Sequence, residues 1–370
     1  MRKALVQFHL WLGLVVGLLW ALQGLTGAAL VFHREMDRWA VGAVVAGPAV
    51  SLDRIVAATE TRMGSEVTTV GIADRPGDIL NVTFVDGGPR QLQVEAATGR
   101  PIRLRSNDPG TPFDGSAWRW VYVLHESLLL HDRGETLIGV SGLLLFTSLL
   151  TGLWLGFPKH GQWRKAFGWS GWKSVRAKLF GWHRLAGICA GSLLLVTLPG
   201  GIWMIFANDL RPKLAAVAAH EMPFKPTPVD QLGQLIGPDQ ALARARTQFP
   251  GAAFVRLTLP TPASPVYAVR LRQPDETRVW SGVTLITIDA ASGRTLHIYD
   301  AVRAPLSNRL ADAAFSIHSG EIAGLLGRIL VMFAGLSLPA LYVTGVWAWW
   351  RKRSRKRTPQ RLFEPAAEPA

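Results

Sequence analysis

A single cysteine, Cys189, stands in a chain of 370 residues. That scarcity excludes a disulfide framework, a cysteine zinc site and an iron–sulfur cluster. No C-x-x-C-H occurs, which excludes covalently attached c-type haem. Charge is also scarce. Charged residues are 18% of the chain, against about 25% in ordinary soluble proteins. Acid is the scarcer sign, with 26 Asp and Glu against 40 Lys and Arg, a net charge of +14. The chain has no nucleophile elbow, no H-E-x-x-H and no P-loop, so a soluble-type hydrolase is disfavoured. What it has instead is 49% hydrophobic residues and 15 tryptophans. A chain both apolar and basic is either a membrane protein flanked by Lys and Arg or a nucleic-acid binder, and the placement of the charges decides between them.

Four stretches reach the roughly 20 apolar residues that cross a bilayer: Leu10–Phe32, Leu137–Phe157, Leu185–Ala207 and Ile329–Trp350. Trp11, Trp154, Trp182, Trp347, Trp349 and Trp350 sit at their ends, where amphipathic rings favour the interface. Arg2 and Lys3 imitate a signal peptide, but the apolar run is too long for one and reads as a retained helix. The loop between spans two and three carries Lys159, Arg164, Lys165, Lys173, Arg176 and Lys178 and no acid. Six more basic residues fill the tail from Arg351 to Arg357, directly against span four. By the positive-inside rule both termini and the middle loop are cytoplasmic, and nucleic acid is not the partner.

The expected organisation is span 1–33, outer domain 34–117, span with an outer extension 118–157, basic loop 158–182, span 183–207, outer domain 208–314, span 315–350 and basic tail 351–370. In a Gram-negative bacterium the outer domains lie in the periplasm.

The chain also matches itself. His9, Gly13, Gly17, Gly27 and Phe32 recur as His183, Gly187, Gly191, Gly201 and Phe206, at an offset of 174. His125, Gly134, Gly142 and Thr151-Gly152-Leu153-Trp154 recur as His318, Gly327, Gly335 and Thr344-Gly345-Val346-Trp347, at an offset of 193. Glu95-Ala96-Ala97-Thr98-Gly99-Arg100 recurs as Asp289-Ala290-Ala291-Ser292-Gly293-Arg294. This reads as an internal duplication of a span–domain–span unit. Each outer domain is expected to be a helix (Leu52–Met63, Gln240–Phe249) on a small antiparallel sheet. Its strands include Leu80–Phe84, Gln91–Val94 and Leu285–Ile288, and the Thr/Ser-Gly pair forms a hairpin turn.

Of nine histidines, only His9 with His183 and His125 with His318 coincide under the repeat. His9 and His183 open outward-running helices and belong to the cytoplasmic side. His125 and His318 precede inward-running spans and belong to the outer side. Ionisable residues at membrane depth default to function, and neutral imidazoles from two facing helices are good axial ligands for haem iron. The bland rival is a histidine capping a helix end. Zinc or copper is the other rival, through an outer cluster of His33, His125, His131 and His318. His125 and His131 lie roughly 240° apart on one helix and share no face, so His33 and His131 rank as substitute ligands or surface residues. Glycines at i+4 and i+8 either bring helices together or leave room for a flat macrocycle. From His125 to Trp154 is about 43 Å of continuous helix, longer than the hydrocarbon layer, so the helix either projects outward or breaks near Gly134. Arg133 and Arg328 are candidates to pair with haem propionates.

Together these motifs resemble the PepSY-associated transmembrane family, and more narrowly the di-haem inner-membrane ferric-siderophore (ferrioxamine) reductases, over nearly the whole chain. The resemblance implies two haem b groups in a four-helix membrane bundle with two small α+β, PepSY-like periplasmic domains. It also implies an oxidoreductase that passes electrons from quinol or a cytoplasmic reductase to a periplasmic ferric siderophore, hydroxamate type first. Two alternatives stand beside it: a haem-bearing, quinol-linked subunit feeding another periplasmic redox protein, and a non-redox membrane-anchored regulator of a peptidase.

Overall fold

The computed structural model describes residues 1–45, 47–73, 78–108, 117–167, 172 and 174–356. Lys173 of the basic loop and residues 357–370 of the tail lie outside the described residues. In chain order the elements are α1 (Arg2–Leu30), α2 (His33–Val41), α3 (Leu52–Met63), β1 (Val67–Ile72), β2 (Ile79–Val85), β3 (Pro89–Glu95), β4 (Pro101–Ser106), α4 (Ala117–Ser127), α5 (His131–Gly156) and α6 (Trp163–Phe167). There follow α7 (Val175–Val217), α8 (Pro238–Gln248), β5 (Ala253–Thr258), β6 (Val266–Arg272), β7 (Leu285–Asp289), β8 (Thr295–Tyr299), α9 (Leu306–Ser319) and α10 (Gly324–Lys356).

Among the described residues four helical stretches are long and apolar enough to cross a membrane: Arg2–Leu30, His131–Gly156, Ala177–Val217 and Glu321–Arg351. Large apolar side chains along them, such as Val15, Leu18, Val196 and Phe333, are exposed. So many exposed large apolar side chains are unusual on a soluble surface, whereas lipid is their natural solvent. The chain divides into two compact units, each drawing segments from all four long helices. The first comprises Met1–Leu25, Leu144–Leu195 and Ala334–Ala370; the second comprises Thr26–Leu143 and Val196–Phe333.

The second unit contains the sheet. All its neighbouring strands pair antiparallel, and the order is β4-β3-β2-β1-β5-β6-β7-β8. Two separate small domains were expected; instead their four-stranded halves form one eight-stranded sheet. The seam is β1 on β5, through Thr69–Thr258, Val70–Leu257 and Gly71–Arg256. The physical reason is the shared apolar face. Side chains alternate across a strand, and Val70, Val82, Phe84, Leu257, Val269 and Ile286, all fully buried, point to one side. They form one core with Ile55 of α3 and Ala241 of α8. Asp239 of α8 also accepts hydrogen bonds from Ser51 Oγ (2.5 Å) and the Leu52 backbone N–H (2.9 Å) at the start of α3, tying the two helices together. Truncating Phe84 to alanine at the centre of this core is expected to cost about 3–5 kcal/mol. Denaturant unfolding of the purified protein, followed by circular dichroism, checks it.

Helix α3 occupies Leu52–Met63 as the periodicity predicts, and α8 begins two residues before its expected start. The two repeated turns take the same form, with Gly99 at φ 73° and Gly293 at φ 71°, a left-handed conformation that glycine adopts without strain. In the first turn, hydrogen bonds from Thr98, the Val45 N–H and Arg100 push the Glu95 carboxyl down to about 2.

The helix break in the second span falls before Gly134. Helix α4 ends at Ser127, and Leu128, Leu129 and His131 have φ of 53°, 62° and 51°. Non-glycine residues rarely adopt this region. Gly134 lies against the break: a Cβ there would sit 1.6 Å from the Ser127 carbonyl oxygen. The counterpart break, between α9 and α10, uses Gly320 (φ 79°) and Gly324 (φ 60°). There a Cβ on Gly327 would meet the Gly320 oxygen at 2.2 Å.

Candidate functional site

Within the first unit, His9 of α1 and His183 of α7 face each other with ring centroids 6.4 Å apart and planes at 81°. His9 Nδ1 donates to the Ser148 carbonyl oxygen at 3.1 Å, and His183 Nδ1 shares a 3.0 Å hydrogen bond with Thr344 Oγ1. Each ring rests on a glycine. A Cβ on Gly152 would be 2.8 Å from His9 Cε1, and one on Gly345 would be 3.5 Å from His183 Cε1. Both histidines line a cavity of about 770 Å³ with Gly13, Gly17, Gly187 and the buried Trp20. Its walls are mostly apolar side chains, and its size lies within the range of about 300–1,000 Å³ that takes cofactor-sized ligands. The glycines divide their work. A Cβ on Gly17 would be 2.6 Å from Tyr342, whereas one on Gly13 would meet nothing within 4 Å. Gly17 serves close approach and Gly13 leaves space.

Within the second unit, His125 of α4 and His318 of α9 have centroids 6.2 Å apart and planes at 42°. His125 Nδ1 pairs with Thr26 Oγ1 at 2.9 Å, and His318 Nδ1 donates to the Thr197 carbonyl oxygen at 3.1 Å. Here too glycines back the rings, with a Cβ on Gly27 falling 2.9 Å from His125 Cε1 and one on Gly201 falling 2.8 Å from His318 Cε1.

The four histidines therefore share one construction. A carbonyl oxygen only accepts, so Nδ1 of His9 and His318 carries the proton and Nε2 keeps its lone pair. Engaging one ring nitrogen to present the other is the usual arrangement around a metal-ligating histidine. The spacing suits the same role. With metal–nitrogen bonds of about 2 Å and a centroid about 1 Å behind each nitrogen, imidazoles on opposite faces of one metal have centroids about 6 Å apart. Both pairs match this, and the donor set fits axial ligation of haem iron. Among the described residues no three or more His, Cys, Asp or Glu side chains gather in a way that could hold a metal ion. The four-histidine cluster weighed from the sequence is therefore not formed, and zinc sites normally use three or four protein ligands.

The remaining candidates go elsewhere. His131 and Arg133 are exposed. Arg328 is committed to α2, donating to both Glu35 oxygens (2.5 and 2.8 Å) and to the Val31 carbonyl (2.6 Å), with its guanidinium over Phe32. Burial opposes ionisation of Glu35, but Arg328 outweighs it and holds the carboxyl below its ordinary range. His33 donates to the Leu30 carbonyl and lies 6.1 Å from Trp118, centroid to centroid. Burial lowers its pKa below the ordinary histidine value.

His33 also lines a second cavity, of about 490 Å³, on the face of the sheet opposite the apolar core. Thr69, Asn81, Thr83, Gln91 and Gln93 line it, the polar half of each strand's alternation. Asp37 of α2 accepts from Arg103 at 2.7 Å and Arg105 at 3.0 Å. Burial raises its pKa, but the two guanidiniums prevail and the carboxyl stays ionised below its usual range. Trp118 also lines this cavity and shares α4 with His125. Seven residues of helix place them about 10 Å apart along the axis and on nearly the same face. Neither α2 nor this cavity is legible in the sequence, because alternation gives each strand a polar face without saying what lies over it.

Residues 6–352 match the model of a family described as PepSY-associated TM region. No curated protein matches the chain.

Proposed function

The chain belongs to the PepSY-associated transmembrane family, and on that premise we propose that it is a di-haem, b-type membrane electron conduit that reduces a ferric siderophore in the periplasm. The observation that carries this reading is the doubled histidine geometry, with centroids 6.4 and 6.2 Å apart and every Nδ1 engaged. His9 and His183 would hold one haem b, and His125 and His318 the other. Such a group, when bound, would supply one-electron transfer.

The chain's own contribution is positioning. Ser148, Thr344, Thr26 and Thr197 fix which imidazole nitrogen is presented, and Gly152, Gly345, Gly27 and Gly201 fix where each ring lies. Helix α4 links His125 to the polar cavity on the sheet, where the ferric chelate would bind. The substrate's iron accepts one electron there, and iron(II) leaves because it is a poorer partner for hard oxygen donors. No general acid or base is required. In this reading the two halves arose by internal duplication, the termini and basic loop face the cytoplasm of a bacterium, and the sheet lies in the periplasm. Electrons enter from quinol or a cytoplasmic reductase. A non-redox anchor for a peptidase regulator leaves the four glycine-backed histidines without a purpose.

The test is optical. Purified protein is expected to show a Soret band that shifts on dithionite reduction, and the reduced form is expected to re-oxidise when a ferric siderophore is added anaerobically. Protein without a Soret band sinks the proposal. A Soret band with no re-oxidation by ferric chelates moves the function to a subunit that feeds another redox protein.

A further inference from the structure

The cavity on the sheet has a charge pattern that selects among ferric chelates. Resting on the reductase reading above, we propose that it receives an anionic chelate with aromatic oxygen donors, the catecholate class, in preference to a cationic hydroxamate complex.

Four arginines line the cavity, Arg34, Arg38, Arg105 and Arg256, against one carboxylate, Asp37. That carboxylate is already shared between Arg103 and Arg105. Arg38 lies 3.5 Å from Asp78. Among the described residues Arg34 and Arg256 form no ion pair within 4 Å, and Arg34 acts on the buried Glu321 only at longer range. The lining therefore holds positive charge in excess of what its own acids neutralise, a field that attracts an anion. A cationic complex entering the same space meets like charge, and like-charge juxtaposition is a strong selector against the wrong ligand.

Shape adds the second requirement. Trp118 and Trp280 both line the cavity, and indole faces pack flat aromatic rings. Guanidinium groups both stack on such rings and donate to their oxygens. The amides of Asn81 and Gln91 also line the cavity. Catecholate ligands offer flat rings and two negative charges per chelating unit, whereas a linear hydroxamate offers no ring and one charge.

Gallium(III) complexes test this apart from electron transfer, because gallium(III) copies the shape and charge of iron(III) and is not reduced. Calorimetric titration of the purified full chain with trianionic gallium(III) tris-catecholate and with cationic gallium(III) desferrioxamine B compares the two classes. The anion is expected to bind at least about tenfold tighter at low salt and to weaken as salt screens the site. Arg34→Gln with Arg256→Gln is expected to remove most of that advantage, and Arg256→Lys to keep the larger part of it, since charge carries most of the preference. Equal or tighter binding of the cation, or anion binding that ignores both Arg→Gln changes and salt, overturns the proposal. Haem-free protein that still prefers the anion counts against the reductase reading and leaves the selectivity standing. Haem-replete protein without the preference does the reverse.

Discussion

Replacing any one of His9, His183, His125 or His318 with leucine is expected to halve the haem content, from two per chain to one, as read by the pyridine haemochromogen assay. The expectation follows from the pairing. Each ring has one partner about 6 Å away, and a haem that loses one of two axial ligands loses much of what holds it. The pattern among combinations is the sharper reading. His9→Leu with His183→Leu is expected to lose no more haem than either change alone, because both act on one group. His9→Leu with His125→Leu is expected to lose both haems. Additivity within a pair, or full retention across all four single variants, would refute the assignment. Elution volume on size exclusion separates loss of cofactor from loss of fold.

Gly13→Leu is expected to remove the His9/His183 haem while leaving the protein folded. A Cβ at Gly13 meets nothing within 4 Å, and the cavity it faces measures about 770 Å³, so the side chain grows into space that the packing leaves open. If a macrocycle fills that space, the leucine competes with it directly, and Soret absorbance falls by about half while His125 and His318 keep their share. Unchanged Soret absorbance with unchanged stability would mean that the cavity is not the cofactor's. Gly27→Val is the complementary change. Its Cβ would press on His125 Cε1 from 2.9 Å, so it disturbs a ligand rather than a cavity, and it is expected to spare the His9/His183 haem.

How much of this was readable in the chain depends on which interactions leave a local trace. The four spans were legible because a bilayer demands long uncharged runs. The histidine pairs were legible because two offsets, 174 and 193, singled out four of nine. The glycines behind the rings recur at the same offsets, yet nothing local says what a glycine faces, so only contact geometry revealed their role. The partners of His9 and His318 are backbone carbonyls, which every residue possesses and no side chain advertises. The β1–β5 seam joins residues such as Thr69 and Thr258, far apart in the chain, and alternation says that a strand has an apolar face without saying which strand it will meet. The break after α4 falls in Leu128 and Leu129, which carry no turn signal. Only the excess length of the helix pointed to a break near Gly134, the residue that tolerates the closeness of the Ser127 carbonyl.

That seam also bears on how the protein survives its own synthesis. A sheet ends in strands whose outer backbone groups are unpaired and can template association with another chain. Two independent four-stranded sheets would present four such borders; joining β1 to β5 leaves two, β4 and β8. Strand β4 starts at Pro101 and carries Arg103 and Arg105, residues that discourage strand addition. The fusion thus acts as protection against aggregation while the chain is still reaching its membrane.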